Sequence, residues 1–599
     1  MIRKSRIAAL LSPFIKKQLR LLPVLDSIRS YDRIALNRDG PVAFMVALLA
    51  LPQGLALALI AGLPAAHGVF GSIAGLALGA IFTGARHVSF GPSVTTAVLV
   101  MSTFVRLNVS PQERAEVLIV LLILSGLILC LGAILRFALL ARYISRSVTT
   151  GFIVAAGILI LTSQMKHVLG LPLPDTGIFA TDLRWIVLSL MDIQWQSLLT
   201  GTITAGAYLA ISRQSPAWPA AAIAVVAGSV AAWFLEFGGF PVVHLDDFHP
   251  SLIPHADTVI QTHWIGVVAS AAFATALVSH LEMSLIGRSY SARAGDRFDA
   301  NQHMLGLGLV NLGNAFVAGM PASISLSLSR INWRMRAKTS LTGLLAALYC
   351  AALYAGAGPL FHLIPRPALS ALAMVLATEI VSRHYLRVIF QSSKADAVVL
   401  AATIVAGLLF RLDVALYLGA GLSIIFFLRK VGVPELSEYG FTAEGHLAAV
   451  DSSTQRNPDI SIVHVEGDLF FGAAEIFLEQ ARRVCEDPNL KVIVLRMKNA
   501  HHLDATCALA IEELLRFARD HDRHIIVSGA HRAIYRVFRN SGLLEMISRE
   551  NFFMDVPSNP TISTRNALKR AQRLLGGAEA NIRIYVDQAK QAAHAAAKS

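Results

Sequence analysis

Apolar segments long enough to cross a membrane fill residues 43–430 of this chain and then stop. A lipid core offers no partner to a free backbone N–H or C=O group, so a spanning segment of about twenty residues must be helical. The composition agrees, because 55% of the residues are hydrophobic and only 15% are charged. The sequence therefore predicts a polytopic α-helical membrane protein followed by a soluble α/β domain.

The apolar segments divide into fourteen candidate spans, some of them short. They cover residues 43–62, 69–84, 93–107, 116–136, 147–164, 196–212, 218–236, 264–287, 302–318, 324–334, 341–357, 368–382, 396–410 and 414–429. The expected domains are a basic N-terminal segment at 1–40, a transmembrane domain at 41–432, a soluble domain with its linker at 433–575, and a low-complexity tail at 576–599. The tail is rich in Ala, Gln and Lys, which favours a frayed helix.

The placement of positive charge predicts the orientation of the spans. Basic residues concentrate in alternate connections, at Arg86, at Arg136, Arg142 and Arg146, at Arg213, at Arg288, Arg293 and Arg297, at Arg330, Arg334, Arg336 and Lys338, and at Arg383, Arg387 and Lys394. The opposite loops contain few, and residues 237–263 contain none. Because cytoplasmic loops carry the excess of Lys and Arg, we expect a cytoplasmic N-terminus and soluble domain in a cell (inner) membrane protein. The net charge of +13 is then a topology signal, and no nucleic-acid partner is expected.

Two spans are about half the usual length and begin at a Gly/Pro break. The third follows Ser-Phe-Gly-Pro at 89–92, and the tenth follows Gly-Met-Pro-Ala at 319–322. Each is third of seven in its half of the chain, which is typical of an inverted-repeat transporter with a binding site at the membrane midplane. A helix N-terminus presents free N–H groups and about half a positive charge, so two that converge form an anion site.

Several blocks of sequence resemble the sulfate permease (SulP) family of anion transporters. They read Leu-Pro-Gln-Gly-Leu-Ala at 51–56, Gly-Ala-Arg-His-Val-Ser-Phe-Gly-Pro at 84–92, Ile-Ser-Arg at 144–146, Gly-Met-Pro-Ala at 319–322, and Ala-Lys-Thr at 337–339. The resemblance extends over about residues 20–555 and ends in a segment similar to a STAS domain. It implies a seven-plus-seven inverted repeat, a core domain that moves against a gate domain by an elevator-like motion, and a homodimer.

The expected anion site departs from the family pattern. Many relatives place an arginine where this chain has Leu328, and Arg330 follows two residues later, about 200° around a helix, where we expect it to face elsewhere. Leu57 likewise stands where the family has an aromatic residue. Backbone dipoles and polar side chains remain as candidate substrate-binding groups: Gln53, Ser93, Thr95, Thr96, Ser323, Ser325 and Ser327.

Glu282 is an acidic residue in an otherwise apolar span, at the family's acidic position in the eighth helix. An intramembrane carboxylate is costly, which makes it a functional candidate. Beside an anion it would repel the substrate unless it is protonated or paired with a cation, so H⁺ or Na⁺ coupling is one interpretation. The other is a neutral carboxyl group bonded to a backbone carbonyl. His280 and His303 are expected to be packed histidines.

The soluble region alternates strand and helix patterns. Buried strands are expected at 460–465, 492–495 and 525–528, and helices at about 472–485, 505–519 and 531–539. Asp504 is a natural N-cap, and Thr506 stands where related anti-sigma-factor antagonists carry a phosphorylatable serine, which makes it a regulatory candidate.

Taken together, these patterns predict a secondary active transporter of small anions such as sulfate, bicarbonate or chloride, embedded in the lipid bilayer. The alternatives are an organic-anion (dicarboxylate) or nucleobase transporter on the same fold, and a non-transporting sensor that signals through its STAS domain. No nucleophile–base pair, nucleotide-binding motif or metal-ligand spacing points to an enzyme, so we expect no cofactor and no metal.

Overall fold

The computed structural model describes residues 19–139, 144–173, 178–214, 218–245, 261–431, 438–441, 447–449, 459–556, 562–577 and 582–585. The chain divides into two compact units, one that ends at Ile424 and one that begins at Ile425. The first is helical, and the second contains a seven-stranded sheet.

The first unit consists of helices joined by short connections, with one short two-stranded ribbon. Its helices are α1 (Val24–Arg29), α2 (Arg33–Ile60), α3 (Ala65–Thr83), α4 (Val94–Leu107), α5 (Arg114–Ile134), α6 (Arg146–Val168), α7 (Phe179–Leu188), α8 (Trp195–Gln214), α9 (Ala220–Phe237), α10 (His263–Ala294), α11 (Ala300–Phe316), α12 (Leu326–Arg334), α13 (Leu341–Ala357), α14 (Arg366–Glu379), α15 (Arg383–Ser392), α16 (Lys394–Leu409) and α17 (Leu412–Val431). Short 3₁₀ turns follow α7 and α13.

Each of the fourteen expected spans has a helix at its place. Among the described residues, eight helices are both long and apolar enough to cross a membrane. The expected half-length spans are confirmed, since α4 has 14 residues and α12 has only 9. At about 1.5 Å per residue, neither could cross a hydrocarbon layer about 30 Å thick. The chain is a multi-pass membrane protein in which two helices end inside the bundle.

A short antiparallel ribbon joins the starts of the two half-length helices. Strand β1 (Phe90–Pro92) leads into α4 and strand β2 (Ala322–Ile324) into α12, and Gly91 pairs with Ser323. All six ribbon residues are buried. Backbone this deep in a membrane protein must find its hydrogen bonds inside the protein, and the two strands supply them to each other. The ribbon thus brings the N-termini of α4 and α12 to one place.

The long helices pack in two groups around this ribbon. One group contains α2, α3, α5, α10, α11 and α13, with α4 and α12 among them. The other contains α6, α8, α9, α14 and α16. The two groups meet along α2, which packs against both α9 and α14.

Helices α2 and α3 approach each other closely at Gly54 and Gly68. A Cβ atom on Gly68 would lie 1.9 Å from the Gly54 carbonyl oxygen, and one on Gly54 would lie 2.6 Å from the Gly68 carbonyl oxygen. Both contacts are with backbone, which cannot turn aside as a side chain can. Only glycine fits at these two positions.

The second unit is a seven-stranded sheet with helices packed on it. The strands are β3 (Glu438–Phe441), β4 (Leu447–Ala449), β5 (Ile460–Leu469), β6 (Val492–Leu503), β7 (His524–Ala530), β8 (Phe552–Met554) and β9 (Ile582–Tyr585), in the sheet order β4-β3-β9-β5-β6-β7-β8. The helices are α18 (Phe471–Cys485), α19 (Ala505–Asp520), α20 (Arg532–Asn540), α21 (Leu543–Ile547) and α22 (Ile562–Leu574). The central strands β5 to β8 are parallel and buried, as the apolar runs predicted.

The prediction of a frayed helix after residue 576 is wrong for Ile582–Tyr585. These residues form β9, which pairs in parallel with β5 and antiparallel with β3. Ile582 and Ile584 alternate with Arg583, a period-2 pattern that the Ala- and Gln-rich composition around it concealed. Residues 586–599 of the expected tail lie outside the described residues.

Candidate functional site

The start of α4 is closed by a complete capping box. The Ser93 hydroxyl accepts from the Thr96 N–H at 3.2 Å, and the Ser93 N–H donates to the Thr96 hydroxyl at 3.2 Å. The Thr96 hydroxyl also donates to the Pro321 carbonyl at 2.9 Å, which ties the start of α4 to the segment before β2. Residues 93 and 96 therefore satisfy the helix end internally and fix it to the other half of the repeat.

Glu282, on α10, points its carboxylate at this helix start. The Ser93 hydroxyl donates to one carboxylate oxygen at 3.0 Å, and the Thr95 hydroxyl donates to the other at 2.5 Å. The Glu282 side chain is buried. A carboxylate that accepts two hydroxyl donors at the positive end of a helix occupies the kind of place that suits an anion. The bland interpretation of Glu282, a carboxyl group bonded to a backbone carbonyl, does not describe these contacts.

The start of α12 is built differently. Ser325 is the N-cap, and its hydroxyl accepts from the Leu328 N–H at a long 3.5 Å. The Ser327 hydroxyl lies 3.2 Å from the Ser325 hydroxyl and donates to the Gln53 side-chain oxygen at 2.9 Å. The Gln53 amide nitrogen is buried and has no hydrogen-bond partner. An amide with two free donors next to a helix N-terminus is a group that still lacks an acceptor.

A cavity of about 60 Å³ lies between these two helix starts. Of the predicted site residues, Gln53, Ser93, Glu282, Ser325 and Ser327 line it. The remaining three, Thr95, Thr96 and Ser323, lie behind its wall, fully buried. Apolar side chains complete the lining, among them Leu57, Ile286, Leu376 and Ile380.

The fully buried residues support the cavity wall. Thr95 and Thr96 hold Glu282 and Pro321, as described above, and Ser323 donates to the Ser279 carbonyl at 3.4 Å. The Asn311 side-chain oxygen accepts from the Ala322 N–H at 2.8 Å, and the Asn314 amide donates to the Met320 carbonyl at 2.8 Å. The backbone around β2 is therefore satisfied by side chains of α11.

The expectation that Arg330 faces away from the site is wrong, because Arg330 lines the same cavity. Ser327 and Arg330 are three residues apart and so share a face of α12, whereas the expectation was measured from Leu328. Leu328 itself is 3% exposed and packs in the protein interior. The position that carries the arginine in many relatives thus does not line the cavity here.

Glu379 and Tyr208 are cavity-side residues that sequence reasoning missed. Glu379, the last residue of α14, lines the cavity and pairs with the Arg330 guanidinium at 3.1 Å. The Tyr208 hydroxyl, on α8, donates to the other Glu379 oxygen at 3.0 Å. An acidic residue inside an apolar span was the signal that singled out Glu282, and it applies equally to Glu379.

The two histidines next to these elements are packed, as expected. The His280 ring lies 3.2 Å from the Ala138 carbonyl, and the His303 ring lies 2.8 Å from the Asp299 carbonyl. Neither lines the central cavity.

In the second unit, Asp504 caps α19 as predicted, with its carboxylate accepting from the Cys507 N–H at 2.9 Å and from the Phe471 N–H at 2.6 Å. Thr506, one residue before Cys507, is exposed. Burial, reinforced by the neighbouring Asp504 charge, raises the pKa of the Cys507 thiol to about 12. This thiol is protonated at neutral pH and is not a nucleophile.

Comparison with known proteins places both units in described families. Residues 36–403 match the sulfate permease family, and residues 451–559 match the STAS domain. The chain is 24% identical to sulfate transporter 4.1, chloroplastic, of Arabidopsis thaliana, over 90% of this chain and 81% of that protein.

Two solved structures show the same fold. The murine solute carrier 26 family member A9 anion transporter, described in its inward-facing state, aligns with a TM-score of 0.81 at 20% identity and covers 95% of this chain and 98% of its own. The transmembrane domain of a cyanobacterium bicarbonate transporter, BicA, aligns with a TM-score of 0.59 at 19% identity and covers 65% of this chain and 98% of its own. The chain belongs to the sulfate permease family and carries a C-terminal STAS domain.

Proposed function

We propose that this protein is a secondary active transporter of small inorganic anions such as sulfate, bicarbonate or chloride. The observation that carries the proposal is the cavity between the starts of α4 and α12, where a buried Gln53 amide has no acceptor of its own. Two helix N-termini and several hydroxyl donors converge there, which is chemistry for an anion. The names of the Arabidopsis and cyanobacterial relatives, a sulfate and a bicarbonate transporter, agree with this substrate class.

The size of the cavity favours an inorganic anion over a dicarboxylate or a nucleobase. A bound water needs about 10–15 Å³ of space measured in this way, so the cavity of about 60 Å³ offers room for only a few water-sized groups. That suits one central atom with three or four oxygens. An organic anion would require the walls formed by Leu57, Leu376 and Ile380 to move apart.

Glu282 makes coupling to a cation part of the proposal. Its carboxylate lines the cavity, so an ionised Glu282 and a bound anion would repel each other at short range. A proton or a Na⁺ ion that neutralises the carboxylate removes this repulsion, which supports symport of the anion with H⁺ or Na⁺. Transport is then driven by an ion gradient, and the protein is a transporter without enzymatic activity.

The helix packing supports alternating access by an elevator-like motion. The ribbon and its side-chain bonds hold α4, α12 and the cavity wall within one helix group, while α14 contributes Leu376, Glu379 and Ile380 from the other group. Relative movement of the two groups would therefore open one side of the cavity. We further propose that the protein is a homodimer in the cell (inner) membrane, with its N-terminus and STAS domain cytoplasmic, which the basic connections between spans support.

Uptake into proteoliposomes tests the proposal. The purified protein is reconstituted and offered sulfate, bicarbonate, chloride, nitrate and a dicarboxylate, with protein-free vesicles as the control. We expect saturable uptake of at least one inorganic anion and none of the dicarboxylate. Uptake of the dicarboxylate alone would favour an organic-anion transporter, and absence of flux for every solute would favour a sensor.

Thr506 is proposed as a regulatory site of the STAS domain. Its hydroxyl is exposed at the first turn of α19, where a phosphate would meet the positive end of the helix. Thr506→Glu should change the maximal transport rate and leave the order of substrate preference unchanged. Thr506→Ala is the matched variant, and a substrate order altered by either change would contradict a purely regulatory role.

A further inference from the structure

Arg330 is the one cationic side chain among the described residues that line the central cavity. Two acids, Glu282 and Glu379, line the same cavity. The Arg330 side chain is 37% exposed, so solvent and solutes in the cavity can reach it. A single guanidinium shared between a resident carboxylate and an incoming anion determines how strongly the site attracts negative charge.

The contact between Arg330 and Glu379 leaves much of the guanidinium available. One guanidinium nitrogen reaches one Glu379 oxygen at 3.1 Å, whereas the strongest pairs of this type use two parallel bonds. The second Glu379 oxygen is held by the Tyr208 hydroxyl. A guanidinium has five N–H donors, so further donors of Arg330 remain for another acceptor.

We propose that Arg330 is the cationic contact of the transported anion, and that Glu379 is a resident carboxylate which the anion displaces from it. The proposal rests on the proposed function and names the side chain that replaces the arginine missing at position 328. The unpartnered Gln53 amide supplies a second donor from the opposite wall of the cavity. Substrate entry then exchanges one anionic partner of Arg330 for another, and Tyr208 keeps Glu379 in place to return.

This exchange also affects the contact between the two helix groups. Arg330 is on α12, in the group that holds the ribbon, whereas Glu379 and Tyr208 are on α14 and α8, in the other group. The ion pair therefore bridges the groups when the cavity holds no anion. Displacement of Glu379 by an anion releases this bridge, so loading of the site and freedom to move are coupled.

Two neutral variants with opposite expected effects test the proposal. Uptake of radiolabelled sulfate, or of the anion selected by the uptake screen, is measured in proteoliposomes over a range of concentrations. Arg330→Gln removes the cationic contact and should raise the half-saturation concentration roughly tenfold or more. Glu379→Gln removes the competing carboxylate and should lower it several-fold. A purely structural ion pair predicts that both variants change the half-saturation concentration in the same direction, because both lose the same bond.

Arg334→Gln is the matched control. Arg334 lies four residues further along the same helix, is exposed, and does not line the cavity, so its neutral variant should retain the parent's half-saturation concentration. Binding of the same anion to the detergent-purified variants provides a second measurement if the rate of Arg330→Gln is too low to analyse. Equal binding by the parent and Arg330→Gln would overturn the role of Arg330. Absence of uptake by the parent itself would instead overturn the proposed function.

Discussion

The two half-length helices start in equivalent places of the repeat but differ in chemistry. At the start of α4, a full capping box is complete and two hydroxyls already serve the Glu282 carboxylate. At the start of α12, the cap is a single long bond from Ser325, and the nearby Gln53 amide has no acceptor. One end is already filled by an anionic group of the protein itself, and the other is still open.

This difference teaches that a repeat in the fold need not be a repeat in function. The α4 end carries the acid that a co-transported cation can neutralise, and the α12 end carries the free donors and Arg330 that can hold an anion. Substrate and co-ion would then meet in one cavity from opposite walls. Four variants test this division, in order of decreasing expected effect.

Ser325→Glu should abolish transport. A carboxylate at the start of α12 would fill the open end in the way that Glu282 fills the other, and it would repel any anion in the cavity. Uptake into proteoliposomes measures the loss, and size-exclusion chromatography checks that the assembly is unchanged. Ser382→Glu is the control, because Ser382 also caps a helix, α15, but does not line the cavity. Full transport by Ser325→Glu would contradict the assignment of the open end.

Glu282→Gln should retain anion uptake and lose its acceleration by an imposed pH or Na⁺ gradient, because an amide is permanently neutral. Uptake with and without each gradient measures the change. Glu236→Gln removes an acid that pairs with His244 outside the cavity and is the matched control. If uptake by Glu282→Gln follows the gradient as the parent does, Glu282 is structural and the division between the two ends fails.

Thr96→Val should lower the free energy of unfolding by about 1–3 kcal/mol, because the Ser93 N–H and the Pro321 carbonyl both lose a buried partner. Thr103→Val is the control on the same helix, since the Thr103 hydroxyl bonds only the Leu99 carbonyl within α4. Denaturation of both variants in detergent gives the comparison. An equal loss in the two variants would mean that the link between the halves adds nothing.

Ser93→Ala should destabilise the protein more than Ser325→Ala, by about 0.5–1 kcal/mol. Ser93 closes a capping box and also donates to Glu282, whereas Ser325 makes one long capping bond. Thermal unfolding of the two variants measures the difference. The opposite order would show that the α12 cap is the stronger of the two.

The sequence predicted the helices and the site better than the details of its lining. Apolar length and Gly/Pro breaks located every span and both half-length helices, since these depend on local chain chemistry. The direction in which Arg330 points depends on where α12 begins and which face meets the cavity, and neither is encoded locally. Glu379 joins the site only because the packing of α14 brings it beside α12. Strand β9 was missed for the same reason, since a four-residue strand is defined by its partners.

The close approach of α2 and α3 has a consequence for selectivity. Ordinary contact begins near 3.4 Å, so a methyl group on Gly68, 1.9 Å from the Gly54 oxygen, would force the helices apart by more than an ångström. Gln53 precedes Gly54 and would be carried with it, beyond the few tenths of an ångström that a hydrogen bond tolerates. The two glycines act as a spacer whose thickness determines the position of a donor they never touch. Laboratory evolution towards a larger or smaller anion should therefore find solutions at residues 54 and 68, outside the cavity wall.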